Sequence, residues 1–123
     1  MYSNKIGHIG WMDLTVQNAE EVSTFYSSVL GWTPKSHGIE EYNDYDMVLD
    51  GEVVGGICHA LGVNANLPPV WLPYVNVENM AICIEKCQQS GGKVVHGPSQ
   101  MGGYQFCVIQ DPAGAYMALL SQE

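Results

Sequence analysis

The sequence predicts an α+β fold built from two tandem units, each a strand, a helix and then about three strands. Sliding the chain by 61 residues lays Val16-Gln17-Asn18 on Val77-Glu78-Asn79 and Gly31 on Gly92. A shift of 62 lays Gly56-Ile57 on Ala118-Leu119. Each half also runs from a strand-like stretch, through apolar residues at helical spacing and a glycine, into a hairpin signal. Similarity at a fixed period points to one supersecondary block used twice, with a crevice where the copies pack.

The first unit spans residues 7–59. Ile9, Trp11, Met12, Leu14 and Val16 form a strand-like run. Asn18 offers an N-cap, and Glu21 three residues later completes the pattern of a capping box. Val22, Phe25, Tyr26, Val29 and Leu30 follow at i, i+3, i+4, i+7 and i+8, predicting a helix that buries this stripe. Gly31 supplies its stop. Two strands are expected between Tyr42 and His59, turning at Asp50-Gly51, a pair that tolerates positive φ at both positions. Residues 60–70, with Pro68-Pro69, read as a connector.

The second unit spans residues 71–120. Trp71 to Val77 is strand-like, Asn79 is a cap, and Met80, Cys83, Ile84 and Cys87 make a helical stripe ended by Gly91-Gly92. Lys93 to His96 reads as extended. Tyr104–Ile109 and Ala115–Leu120 form a hairpin across Asp111-Pro112-Ala113-Gly114, which has the residue order of a type I turn.

At 123 residues the chain is one domain in size, and with 46% hydrophobic residues it is globular in composition. No apolar run is long enough to span a bilayer. The N-terminus lacks a signal pattern, so a cytoplasmic protein without a membrane partner is expected. Four cysteines without paired metal spacing read as reduced core thiols. Net charge is −9, with four lysines and no arginine, which argues against a nucleic-acid partner. Glu40, Glu41, Asp44, Asp46, Asp50 and Glu52 crowd one stretch; they form a solvated edge or a field that attracts a cation.

The βαβββ unit used twice resembles the vicinal-oxygen-chelate superfamily, the glyoxalase, bleomycin-resistance and extradiol dioxygenase fold. The carrying motifs are Val16-Gln17-Asn18 leading to Phe25-Tyr26-Ser27-Ser28-Val29-Leu30-Gly31-Trp32, then Gly91-Gly92-Lys93-Val94, then Asp111-Pro112-Ala113-Gly114. Trp11 and Trp71 are similar to the unit starts of small glyoxalase-like members. The resemblance covers nearly the whole chain. It implies four metal-ligand positions, on the first and last strands of each unit, and these fall on Trp11, Gly56, Leu72 and Ala118. None offers a donor to a divalent ion, so no metal cofactor is expected there.

Strand alternation then places Asp13, Cys58, Tyr74 and Tyr116 on the same inner faces, two positions along from the lost ligands. Trp11, Asp13, Cys58, Leu72, Tyr74 and Tyr116 are the candidate ligand-binding residues, an aromatic pocket with a few polar groups. Asp13 stands out, because a carboxylate on an inner face costs free energy unless it is bonded or paired. His96 is expected at a rim before Gly97-Pro98, and His59 at the end of a last strand. Without metal donors at the four ligand positions, a metal-independent protein is expected; the acidic balance favours a small neutral or cationic organic ligand, and the resemblance to the family's drug-sequestering members implies a homodimer. The alternative is a metal-dependent lyase, isomerase or dioxygenase-like enzyme whose displaced site uses Asp13, Cys58 and His59 or His96. An interaction module that only mediates assembly is a third possibility.

Overall fold

The structure is a computed structural model that describes residues 2–36 and 44–122. Glu40, Glu41 and the expected strand start at Tyr42 lie outside the described residues. The element order is β1 (Ile9–Val16), α1 (Ala19–Leu30), β2 (Thr33–Ser36), β3 (Tyr45–Leu49) and β4 (Glu52–His59), then β5 (Trp71–Asn76), α2 (Met80–Gln89), β6 (Lys93–Met101), β7 (Tyr104–Gln110) and β8 (Tyr116–Gln122). This is the α+β, twice-βαβββ order read from the sequence. By contacts the chain divides into two compact units, one of residues 12–71 and one of residues 2–11 with 72–122.

In the 12–71 unit the strand order is β2-β3-β4-β1, with β1 parallel to β4 and the other pairs antiparallel. Asp50 and Gly51 both take positive φ, 52° and 79°, and join β3 to β4 in the tight turn the pair favours. β2 was not separable in the sequence, because Pro34 and the short Thr33–Ser36 run give little strand signal. Helix α1 does not bury the expected stripe. Ala19 and Ser23 are fully buried, and Val22 and Tyr26 pack over Met47 and Ile57, whereas Phe25, Val29 and Leu30 are about half exposed. The sheet-facing residues 19, 22, 23 and 26, the first and third buried and the others partly so, also follow i, i+3, i+4, i+7, and the small side chains at 19 and 23 permit close approach to the sheet. The hydroxyl of Ser23 donates to Glu20 O at 2.7 Å, so its burial leaves no unmet donor.

The second unit repeats this plan with strand order β5-β8-β7-β6, β5 parallel to β8. Helix α2 does bury its predicted stripe: Met80, Cys83 and Ile84 pack with Cys107 and Leu119. Asn79 caps it, its side chain accepting from Ile82 N at 3.0 Å. At α1 the capping box does not form; Asn18 Nδ2 instead donates to Glu21 Oε2 at 3.3 Å. Asp111 closes the β7–β8 turn as expected, with Gly114 N donating to Asp111 O and Oδ1 accepting from Ala113 N and Ala115 N.

Candidate functional site

Alternation along β1 and β4 gives the 12–71 sheet one face under α1 and one inner face. The inner face carries Asp13 and Thr15 from β1, Gly56 and Cys58 from β4, and Asp46 from β3. Asp13 lies opposite Gly56, which lies opposite Asp46 on its other side, and Thr15 lies opposite Cys58. Asp13 is only 7% exposed. The Cys58 thiol is held far above its ordinary range, first by burial and then by the negative charges of Asp13, Asp44 and Asp46. This is a face of concentrated negative charge around an un-ionised thiol. Of the sequence candidates, Asp13 and Cys58 are thus brought together.

His59 follows Cys58 and takes the opposite side of β4. Its backbone N–H donates to Asp44 Oδ1 at 2.9 Å, and its Nδ1 sits 3.5 Å from the same oxygen. The ring is 6.3 Å from that of Tyr45.

In the other unit Trp11 is half-buried, its ring 5.8 Å from that of Tyr2. Leu72 is fully buried, and Tyr74, 3% exposed, lies opposite Ala118 with its ring 6.3 Å from that of Phe106. Tyr116 is half-buried opposite Gln110. Leu72, Tyr74, Phe106, Val108 and Ala118 make this stretch of inner face a packed interior. His96 is half-buried on the outermost strand of this unit. It lies within β6 opposite Val108, its ring 5.3 Å from that of Phe106. Its Nε2 is shut off from solvent and has no hydrogen-bond partner among the described residues, and burial pulls its pKa below the ordinary value. The extended run read from the sequence stops at His96 because Gly97-Pro98 reads as a break, whereas β6 continues through that pair.

A resident divalent ion does not fit the four residues on which the resemblance places ligand positions. Trp11, Gly56, Leu72 and Ala118 present an indole, a hydrogen, an isobutyl group and a methyl. Among the described residues, no three His, Cys, Asp or Glu side chains gather to hold one elsewhere.

Asp44 and Asp46 were legible in the sequence only as part of the acidic stretch, not as neighbours of Cys58; Thr15 and, in the other unit, Asn76 were not singled out. Thr15 and Asn76 are one alternation step beyond Asp13 and Tyr74, so the signal was present. Asp46 reaches the inner face through a bulge. The turn pairs Leu49 with Glu52 and Val48 with Val53, but Met47 pairs with Gly55, leaving Val54 as an extra residue. Without it Asp46 would stand opposite Gly55, on the other face.

Comparison with known proteins accords with this architecture. The sequence profile of the Glyoxalase/Bleomycin resistance protein/Dioxygenase superfamily matches residues 5–119. The chain therefore belongs to that superfamily. It is 29% identical over 122 residues to the glyoxylase-like protein CFP32 of Mycobacterium tuberculosis, an alignment covering 92% of this chain and 45% of CFP32. It is 25% identical over 109 residues to the anthracycline biosynthesis protein DnrV of Streptomyces peucetius, covering 89% of this chain and 39% of DnrV. The chain thus spans less than half the length of these relatives. A superfamily member from Vibrio splendidus shares the fold at a TM-score of 0.59 and 14% identity, with 91% of this chain and 97% of that one covered. Among the described residues no helix is long and apolar enough to cross a membrane.

Proposed function

We propose that this chain is a metal-independent member of its superfamily that binds a small cationic or neutral organic molecule on the inner face of the 12–71 unit. The observation that carries this reading is the row Asp13, Gly56, Asp46, with Cys58 held as a thiol beside it. Two strand spacings separate the carboxylate-bearing strands, roughly 10 Å, and the residue between them has no side chain. A cation seated there would relieve the mutual repulsion of the carboxylates and donate charge-assisted hydrogen bonds to them. The net charge of −9 favours the same sign of ligand. The other expected contacts, Trp11, Leu72, Tyr74 and Tyr116, belong to the compact unit of residues 2–11 and 72–122, and the reading does not depend on them.

Binding is tested by calorimetry of the intact chain against a panel of ammonium, guanidinium and neutral ring compounds. At least one binder is expected, with anionic analogues silent; silence across the cations would overturn the reading. The enzyme alternative, a displaced metal site on Asp13, Cys58 and His59 or His96, is less well supported, because Cys58 and His59 point to opposite sides of β4. It requires stoichiometric Fe, Ni, Zn or Mn in protein purified without chelator, which elemental analysis measures directly. We also propose a homodimer, read by light scattering as twice the 13.4 kDa chain mass.

A further inference from the structure

The N-terminal arm is hooked to the end of β5 by a single residue. Asn76 is buried, and its Nδ2 donates to Ser3 O at 2.9 Å and to Lys5 O at 3.2 Å. Its backbone N–H donates to His8 O at 2.9 Å, and its carbonyl accepts from Gly7 N at 2.7 Å. Both side-chain donors are engaged by the arm, so Oδ1 is left as an acceptor. Beside the arm opens a cleft of about 230 Å³, whose walls include Asn4, Ile6, Asn76, Glu78, Tyr104 and Leu120. At ~30 Å³ per water this is the space of roughly eight waters, the size of a single-ring molecule.

The lining has a definite chemistry. Ile6, Val77, Leu120 and the Tyr104 ring supply an apolar wall, Ser121 and Gln122 add neutral polar groups, and Glu78 carries the one side-chain charge among the described residues. Among the described residues no lysine, arginine or histidine lines the cleft, so an anion would find no charged partner there. Glu78 is exposed at the mouth, where it selects the sign of a ligand more than it adds affinity.

We propose that this cleft, walled by the N-terminal arm and Asn76, is a binding site for a small organic ammonium ion of single-ring size. It involves none of the residues Asp13, Asp46 or Cys58 and stands or falls separately from the binding reading given for them. Occupancy would also brace the arm, since Asn4 and Ile6 form part of the wall.

The test is an amide-shift titration of the intact, isotope-labelled chain with benzylammonium, benzyl alcohol and phenylacetate. Saturable shifts at Val77, Glu78, Tyr104 and Gln122 are expected, strongest binding for benzylammonium and weakest for phenylacetate. Ile6→Trp, at an exposed arm position that tolerates a large side chain, should weaken benzylammonium at least tenfold. Glu78→Gln should remove most of its advantage over the alcohol. Bound benzylammonium should also slow tryptic cleavage after Lys5. Shifts confined to Asp13, Asp46 and Cys58, equal binding of phenylacetate, or benzylammonium binding untouched by both substitutions would each overturn the proposal. Because shifts are read residue by residue, failure here is distinguishable from failure at the Asp13 face.

Discussion

Asp13 on β1 and Asp46 on β3 stand in one cross-strand row, separated only by Gly56 of β4. Two carboxylates facing the same side of a sheet, one of them nearly fully buried, are unfavourable unless something positive or hydrogen-bonded offsets them. That relationship adds to burial in holding Cys58 as a thiol and gives the 12–71 inner face its chemical character.

Cys58 should be an unreactive thiol. Burial first, and then Asp13, Asp44 and Asp46, disfavour its thiolate, and the thiolate is the nucleophile. In iodoacetamide labelling at pH 8 read by mass spectrometry, Cys58 should react at least about tenfold more slowly than in the urea-unfolded chain. Asp13→Asn removes one negative neighbour and should speed the reaction severalfold; labelling at the unfolded rate in the parent would refute this.

Stability should decline on both sides of neutrality. The Cys107 thiol is pushed up to about 11 from an ordinary 9.0, by burial and then by Cys87 and Cys83, and Cys58 is raised further still. Thiols that ionise less readily when folded contribute stability that is complete below pH 9 and lost as pH rises through the folded values. His96 moves the other way. Burial lowers its folded value below 6.5, so its contribution is present above pH 6.5 and lost as pH falls. Urea midpoints measured against pH should form a plateau between about 6.5 and 9. Cys107→Ala should flatten the alkaline limb, and His96→Gln should flatten the acid limb.

The indole N–H of Trp71 donates to the Tyr26 hydroxyl at 3.0 Å; the two ring centroids are 5.4 Å apart, and they pack with Trp32 at 6.0 and 5.9 Å. Tyr26→Phe keeps the ring contacts and removes the acceptor. It should cost about 1 kcal/mol in denaturant unfolding. Tyr26→Ala also removes the packing and should cost about 3 kcal/mol or more. Equal losses would mean the ring contacts contribute nothing.

Gly10 should be intolerant of any side chain. A Cβ there would press on Ser3 O and lie 2.7 Å from Asn76 Nδ2, in the centre of the hook that holds the arm. Gly10→Ala is expected to destabilise by about 1–3 kcal/mol and to expose the Lys5–Ile6 bond to trypsin. Gly103→Ala, where a Cβ meets open space, should be close to neutral in the same assays.

Much of the fold was legible because its signals are local. Asp50-Gly51 and Asp111-Pro112-Ala113-Gly114 carry turn geometry in their own residues, and Asn79 and Gly31 mark helix ends by their own conformational preferences. What was not legible depended on contacts distant in sequence. Which side of α1 is buried was decided by small residues meeting the sheet, so Ala19 and Ser23 displaced the larger Phe25 and Val29. Asp13 and Cys58 shared a face as alternation predicts, but Asp46 joined them only through the extra residue Val54, and no composition signal announces a bulge. Asn76 was hidden for a similar reason: its role comes from an arm about seventy residues away in the chain, pinned by its side chain.

The most direct test titrates chelator-treated, metal-free protein with the strongest cationic binder, alongside Asp13→Asn. Saturable binding by the metal-free chain, weakened tenfold or more by the substitution, is the result predicted, a loss of about 1.4 kcal/mol. Binding that appears only after a divalent ion is added, or that Asp13→Asn leaves unchanged, would contradict it.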